Sequence, residues 1–261
     1  MIDVNVSLSR WPFRGLPGDE PEALACKLQA LGVTEAWTGS FDALLHRDMG
    51  AVNARLADGC RKLKGIRFRP MGAVNPMLPD WREDLRRCAE EYRMPGIRLH
   101  PDFHAYPLDH PEFAELLREA ARRKLLVQIA LMVEDPRTIH PLLKDLPKVD
   151  PAPLAGLLPG IPGLRLILLN AHGLLRGESL ARLLAAGDVG VDIATLEGAG
   201  GIERLIPVAG LDRIVFGSHA PFFSPEAAHA KLVESALGPE QIQAIGRSNP
   251  RRFLPNPENH P

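Results

Sequence analysis

Eight short apolar runs, most of them followed by a stretch of helical periodicity, constrain this 261-residue chain more than any other feature. Ile2, Val4, Val6 and Leu8 alternate with Asp3, Asn5 and Ser7, a period of two that predicts a first strand with its polar set on one face. Further strands are expected over Val33–Trp37, Ile66–Val74, Gly96–Pro101, Leu125–Leu131, Leu164–Asn170, Gly190–Thr195 and Ile214–Ser218. Between them, a helix from Pro21 carries Leu24, Leu28 and Leu31 on one stripe and ends at Gly32. Helices are also expected over Met49–Leu63, Trp81–Tyr92 and Pro111–Arg123. In the last of these, Phe113, Leu116, Leu117, Ala120 and Ala121 make a broad core-facing stripe.

Strands alternating with helices ask for a parallel sheet with helices packed over it. No Gly-x-Gly-x-x-Gly turn follows the first strand, which argues against an open dinucleotide-binding sheet. The expected fold is α/β: a single (β/α)8 TIM barrel with an added C-terminal helix over Pro239–Leu254, in one domain spanning 1–261. Composition narrows the partners. A net charge of −1 with mixed signs supplies no basic field for nucleic acid and no polybasic segment for a membrane surface. No apolar run approaches the roughly 20 residues that span a bilayer. Cys26, Cys60 and Cys88 are odd in number and widely spaced, so a disulfide framework and a thiolate zinc site are not expected. With no signal peptide, the expectation is a cytoplasmic protein whose partner is a small molecule.

Catalytic groups of such barrels sit at the carboxyl ends of the strands, and alternation proposes which side chains point inward. The inward sets are Asp3, Asn5 and Ser7; Arg98 and His100; Gln128 and Ala130; Leu168, Asn170 and His172; and Val215, Gly217 and His219. His100, His172 and His219 thus converge on one mouth, where three imidazoles would suit a divalent metal such as zinc or proton-transfer chemistry. The alternative is that each bonds a neighbour in a polar rim. Loops after the fourth and fifth strands bring His104, Tyr106, Arg137 and His140 over the same mouth. With Arg98 beneath and Arg10 or Arg14 from the first loop, this predicts a pocket for a small anionic, carboxylated substrate. The competing reading pairs Arg98 internally with Asp3 or another acid.

Several stretches resemble the amidohydrolase superfamily of TIM barrels, in its amidohydrolase-2 branch of metal-dependent hydrolases and decarboxylases. They are Ile2-Asp-Val-Asn-Val-Ser7, Gly96-Ile-Arg-Leu-His-Pro101, Asn170-Ala-His-Gly173, Gly217-Ser-His-Ala-Pro221 and Ser248-Asn-Pro-Arg-Arg-Phe-Leu254. Against the family pattern, the two histidines of the first strand match Asn5 and Ser7, the fifth-strand histidine falls at Ala130, and the eighth-strand aspartate falls at His219. Only His172 keeps the family residue. No metal is therefore expected at the usual centre; zinc on His100, His172 and His219 is the less favoured alternative. The resemblance implies hydrolysis or decarboxylation of a small carboxylated or cyclic compound. His219, His172, His100 and Asn5 are the catalytic candidates, and Arg98, His104, Tyr106, Gln128, Arg137, His140 and Asn170 the substrate-binding ones. A catalytically inactive barrel that binds a ligand or supports a partner is the alternative.

Overall fold

The computed structural model describes residues 1–135, 137 and 139–254; Pro136 and Thr138 of the fifth-strand loop, and 255–261 of the expected domain, lie outside the described residues. The chain runs β1 (Ile2–Leu8), α1 (Pro21–Ala30), β2 (Glu35–Ser40), α2 (Asp42–Leu45), α3 (Met49–Lys62), β3 (Arg67–Ala73) and α4 (Trp81–Arg86). It continues with β4 (Gly96–Leu99), α5 (Pro111–Arg122), β5 (Leu126–Ala130), α6 (Leu154–Leu157), β6 (Arg165–Leu169), α7 (Gly177–Ala185) and β7 (Asp188–Asp192). The last elements are α8 (Gly201–Ala209), β8 (Ile214–Val215), α9 (Pro225–Val233), α10 (Pro239–Gln243) and α11 (Asn249–Phe253).

Each strand pairs in parallel with the next, in the order β1 to β8. The segment after β8 returns to β1, where Val4 N–H donates to Phe216 O at 3.0 Å and Ser7 N–H to Ala220 O at 2.8 Å. The result is the expected (β/α)8 barrel.

Two apolar shells hold it. Between strands and helices, α5 is representative: the His110 side chain caps its amino end by accepting from Glu112 N–H, Pro111 opens the first turn, and Phe113, Leu116, Leu117 and Ala120 are buried. Leu166 and Leu168 pack in this shell. Ile2, Val4, Met71, Leu126, Ile167 and Val215 instead pack inside the barrel. The sixth strand therefore departs from the expected parity, with Ile167 and Leu169 inward and Leu168 outward.

The tail from Pro239 is helical as expected, although a π turn over Ala244–Ser248 separates α10 from α11. It brings Phe253 to plug the barrel. Gly190 must be glycine there, since a Cβ would lie 2.7 Å from the Phe253 ring. The eighth strand is shorter than its apolar run because Phe216 N–H bonds Ile245 O of that π turn and His219 adopts a left-handed φ of 58°. The seventh begins earlier than expected and ends at Asp192, whose carboxylate caps the end of β6.

Candidate active site

The floor of the mouth is built on an irregularity in β1. Its register against β2 shifts between Asp3 and Val6, and main-chain carbonyls there turn into the barrel. Arg98, from β4, takes them. Its Nη1 donates to Val6 O at 2.8 Å and Ser7 Oγ at 3.4 Å, its Nη2 to Val4 O at 3.2 Å and Trp37 O at 3.0 Å, and its Nε to Gln128 Oε1 at 2.9 Å. Gln128 Nε2 donates to Val4 O at 2.8 Å. A Cβ on Gly39 would sit 2.8 Å from Arg98 Nη1, so β2 makes room for the guanidinium. Burial pushes the Arg98 pKa down to about 10, which leaves it cationic at neutral pH. All five of its N–H donors are taken by protein acceptors, so none is left for a substrate carboxylate.

Above this floor lies an amide and carboxylate network. Asn5 Nδ2 donates to Asp192 Oδ2 at 2.7 Å and to Asn170 Oδ1 at 2.9 Å, while Asn170 Nδ2 reaches Met132 O at 2.7 Å. Asn170 has a left-handed φ of 57°, which returns it to the mouth after β6 has placed its leucines out of the expected phase. Asp192 also accepts Asn170 N–H at 3.0 Å. A Cβ on Gly217 would meet the Asp192 carboxylate at 2.7 Å, so this glycine permits the close approach. Burial pushes the carboxyls of Asp192 and Asp3 up to about 6 each. Ser218 N–H donates to Asp3 Oδ1 at 3.0 Å, tying the β8 loop to β1.

The histidines divide into two groups. His219 Nε2 lies 2.7 Å from Val133 O, and a carbonyl can only accept, so the proton is on Nε2 and Nδ1 carries the lone pair. That Nδ1 is buried and has no partner among the described residues. His104 is fixed in the same way by Ala43 O at 2.8 Å, again with Nδ1 left over, and His100 Nδ1 is likewise unpartnered. Burial holds His219 down to about 4, and holds His100 well below the usual imidazole range, with the charges of His104, Arg98 and His219 acting in the same direction. All three rings are neutral at pH 7. Nearby, burial raises Asp102 to about 7, opposed by the Phe103 and Val133 N–H groups. His172 belongs elsewhere: its Nε2 donates to Asp192 O at 2.8 Å, on the β6–β7 side.

The loops cap the mouth more than they open it. Trp11, Phe41, Leu44, Val133, Leu143 and Phe222 form one apolar cluster. Trp11 meets Phe222 edge-on at 5.1 Å, and Phe222 stacks on His219 at 5.2 Å. The Tyr106 hydroxyl is buried without a partner among the described residues, and its ring lies 5.7 Å from Phe113. His140 accepts Leu142 N–H and caps a short 3-10 turn, 5.3 Å from Phe13. The arginines over the mouth meet acids: Arg137 pairs with Asp135 and Glu197 at 2.6 Å each, Arg14 with Glu134 at 3.5 Å, and Arg10 with Glu20.

A divalent ion at the family's usual centre needs lone pairs converging on one point. Here Asn5 presents N–H groups, Ser7 Oγ lies beside a guanidinium, and Ala130 has no donor atom. His172 and His219 spend their Nε2 atoms on carbonyls. Among the described residues no group of three or more His, Cys, Asp or Glu could hold a metal ion. These residues do not fit that centre. Asp192 and Asp102 are carboxylates of the candidate site that sequence reasoning left out; an acid ending the apolar run Gly190-Val-Asp192 was the signal for the first.

Residues 13–255 match the amidohydrolase family. No curated protein matches the chain. Solved structures with the same fold include a 2,6-dihydroxybenzoate decarboxylase from Rhizobium, with 18% identity, TM-score 0.70 and 97% of each chain covered. A 5-carboxyvanillate decarboxylase from Sphingomonas paucimobilis has 13% identity and TM-score 0.70, over 97% of this chain and 98% of that one. A dihydroxybenzoic acid decarboxylase from Polaromonas sp. JS666, solved with manganese and 2-nitroresorcinol, has 14% identity and TM-score 0.72, over 97% of this chain and 96% of that one. With the family matched over most of its length and the barrel closed strand by strand, this chain belongs to the amidohydrolase family.

Proposed function

We propose that the protein is a one-domain, cytoplasmic amidohydrolase-type enzyme that hydrolyses or decarboxylates a small carboxylated or cyclic compound without the family's divalent metal. The observation that carries this reading is the lone pair on His219 Nδ1, held in a fixed tautomer by Val133 O and left under the cap without a partner among the described residues. A neutral imidazole whose other nitrogen is anchored is arranged to accept a proton from water or substrate. In this reading His100 offers a second neutral ring beside it, and Asn5, Asn170 and Asp192 hold the walls in register. His172 orients the β6–β7 edge through Asp192 O. The relatives named as decarboxylases of dihydroxybenzoate and carboxyvanillate support a carboxylated aromatic as the substrate class.

Protein purified gently and analysed for metals should carry less than a stoichiometric amount. A panel of carboxylated aromatics, lactones and amides should contain a compound that it turns over. His219→Ala should then lower kcat/KM by about 100-fold or more with the fold intact. A stoichiometric metal lost in His219→Ala would restore metal-assisted hydrolysis instead. The second reading, an inactive ligand-binding barrel, is favoured by the aromatic cap and by the saturation of Arg98. It predicts ligand binding with no turnover of any compound in the panel.

A further inference from the structure

Beside the imidazoles, a cavity of about 500 Å3 lies over the ends of β6, β7 and β8, walled by α9. None of its described lining residues belongs to β1–β4 or the loops that follow them, and neither His100 nor His219 lines it. A volume in the range of about 300–1,000 Å3 suits a small organic ligand.

The cavity holds cations with donors to spare. Lys231 Nζ donates to Ile193 O at 2.7 Å and Ala194 O at 3.1 Å, which fixes the ammonium and uses two of its three N–H groups. The third has no partner among the described residues. Thr195 Oγ1 accepts His172 N–H at 3.3 Å, which leaves its own proton to donate. Arg176 Nε donates to His172 O at 2.9 Å, and its two Nη groups have no partner among the described residues. The acids here, Asp135 and Glu197, are both held by Arg137 at 2.6 Å. Three cations against two acids leave one positive charge over, which matches a monoanion. Met132, Leu196 and Phe223 supply the apolar walls. Ser218 also lines the cavity, where its hydroxyl accepts Ala220 N–H at 3.1 Å.

We propose that this off-axis cavity binds a small organic monocarboxylate with a flat apolar body, its carboxylate anchored by Lys231 Nζ, the Thr195 hydroxyl and Arg176, and its body lying between Leu196 and Phe223. The site is separate from the imidazoles of the mouth and does not depend on turnover there. It also supplies the anion-holding donors that Arg98, spent on protein acceptors, does not.

Calorimetric titration of the full chain with benzoate, and with benzamide as its neutral counterpart, tests it. Benzoate should bind at least about 10-fold tighter than benzamide, since a hydrogen bond to a charged group is worth that much or more. Lys231→Met should remove about 10-fold of the benzoate affinity and none of the benzamide affinity. Should Lys231→Met fail to fold, because Nζ also satisfies two carbonyls, Thr195→Val and Arg176→Met provide the same reading, each expected to weaken benzoate by about 3- to 10-fold. His100→Ala, at the mouth, should leave benzoate affinity unchanged. Equal binding of the two probes, no binding of either, or benzoate affinity that follows His100 and ignores Lys231, Thr195 and Arg176 would overturn the proposal.

Discussion

The two halves of the barrel mouth treat their polar groups in opposite ways. On the β1–β2 side, every donor of Arg98, which reaches in from β4, and both side-chain N–H groups of Asn5 have protein acceptors in a region closed to solvent, although the acceptor Asp3 Oδ2 has no partner among the described residues. On the β4–β8 side, His100 Nδ1, His104 Nδ1, His219 Nδ1 and the Tyr106 hydroxyl are equally buried and have no partner among the described residues. Leaving a buried polar group unsatisfied costs about 1–3 kcal/mol. The satisfied half is therefore where the fold draws rigidity, and the unsatisfied half is where water or a ligand has groups to meet. Charge differs between the two groups as well: the Arg98 guanidinium is fixed in the floor, whereas the imidazoles above it are neutral.

The comparison breaks most decisively at Arg98. Replacing it with Met removes five donors and takes the guanidinium from the carbonyls of Val6 and Trp37 inside the barrel, leaving Val4 O to Gln128 alone. The expected loss is at least ~3 kcal/mol, seen as a drop of about 6–12 °C in Tm or failure to fold. Arg98→Lys should recover only part, because three donors cannot reach five acceptors. A Met variant of unchanged Tm would mean that the saturated half is not structural.

A change in the cap should be felt in both halves, unequally. Trp11 packs edge-on against Phe41, Phe103 and Phe222, and Phe222 in turn covers His219. Trp11→Ala is expected to cost about 3 kcal/mol. It should also speed carbethoxylation of His219 and His100, followed by peptide mass spectrometry, and leave the hydrogen-exchange protection of β1 and β2 in place. Equal loosening of both sides would erase the distinction between them.

Much of this architecture was legible in the residues, and the failures have physical causes. Apolar runs, or in β1 a period of two, mark all eight strands; their ends could not be read, because tertiary partners set them, the Asp192 carboxylate at β6 and Ile245 O at Phe216. The parity of Leu166–Leu169 was unreadable, since an unbroken apolar run carries no polar mark of which face is which. At the site, His100 and His219 lie near each other, whereas His172 turns away to Asp192 O. The saturation of Arg98 left no trace in sequence, because its acceptors are mostly main-chain carbonyls exposed by a register shift.

Acidity offers a finer probe of the amide network. Burial raises Asp192 in the folded chain to about 6, above its ordinary carboxyl value. The folded state therefore keeps this proton at pH values where the unfolded chain has released it. The stabilisation is fully present below the unfolded value and is lost as pH rises through about 6. His219, held down to about 4, acts the other way: its contribution is present above the ordinary imidazole value and is lost as pH falls toward 4. Asp192→Asn isolates the first effect. Measured by urea denaturation, the stability of the natural chain relative to this variant should fall by about 1–3 kcal/mol between pH 4 and pH 7. A difference that stays flat with pH would show that Asp192 is charged throughout, as in a network built around an ion pair.

The smallest effect is expected at Tyr106, where the comparison can be sharpened with one atom. Its hydroxyl is buried and unpartnered among the described residues, and burial raises its pKa above the ordinary phenol value. Tyr106→Phe keeps the ring against Phe113 and His104 and deletes only the oxygen. If nothing meets that oxygen in solution, removing it relieves an unsatisfied group, and the variant should match the natural chain or exceed it by up to ~1 kcal/mol. A loss of about 1 kcal/mol or more in the same denaturation experiment would instead place a bound water or ligand against the hydroxyl.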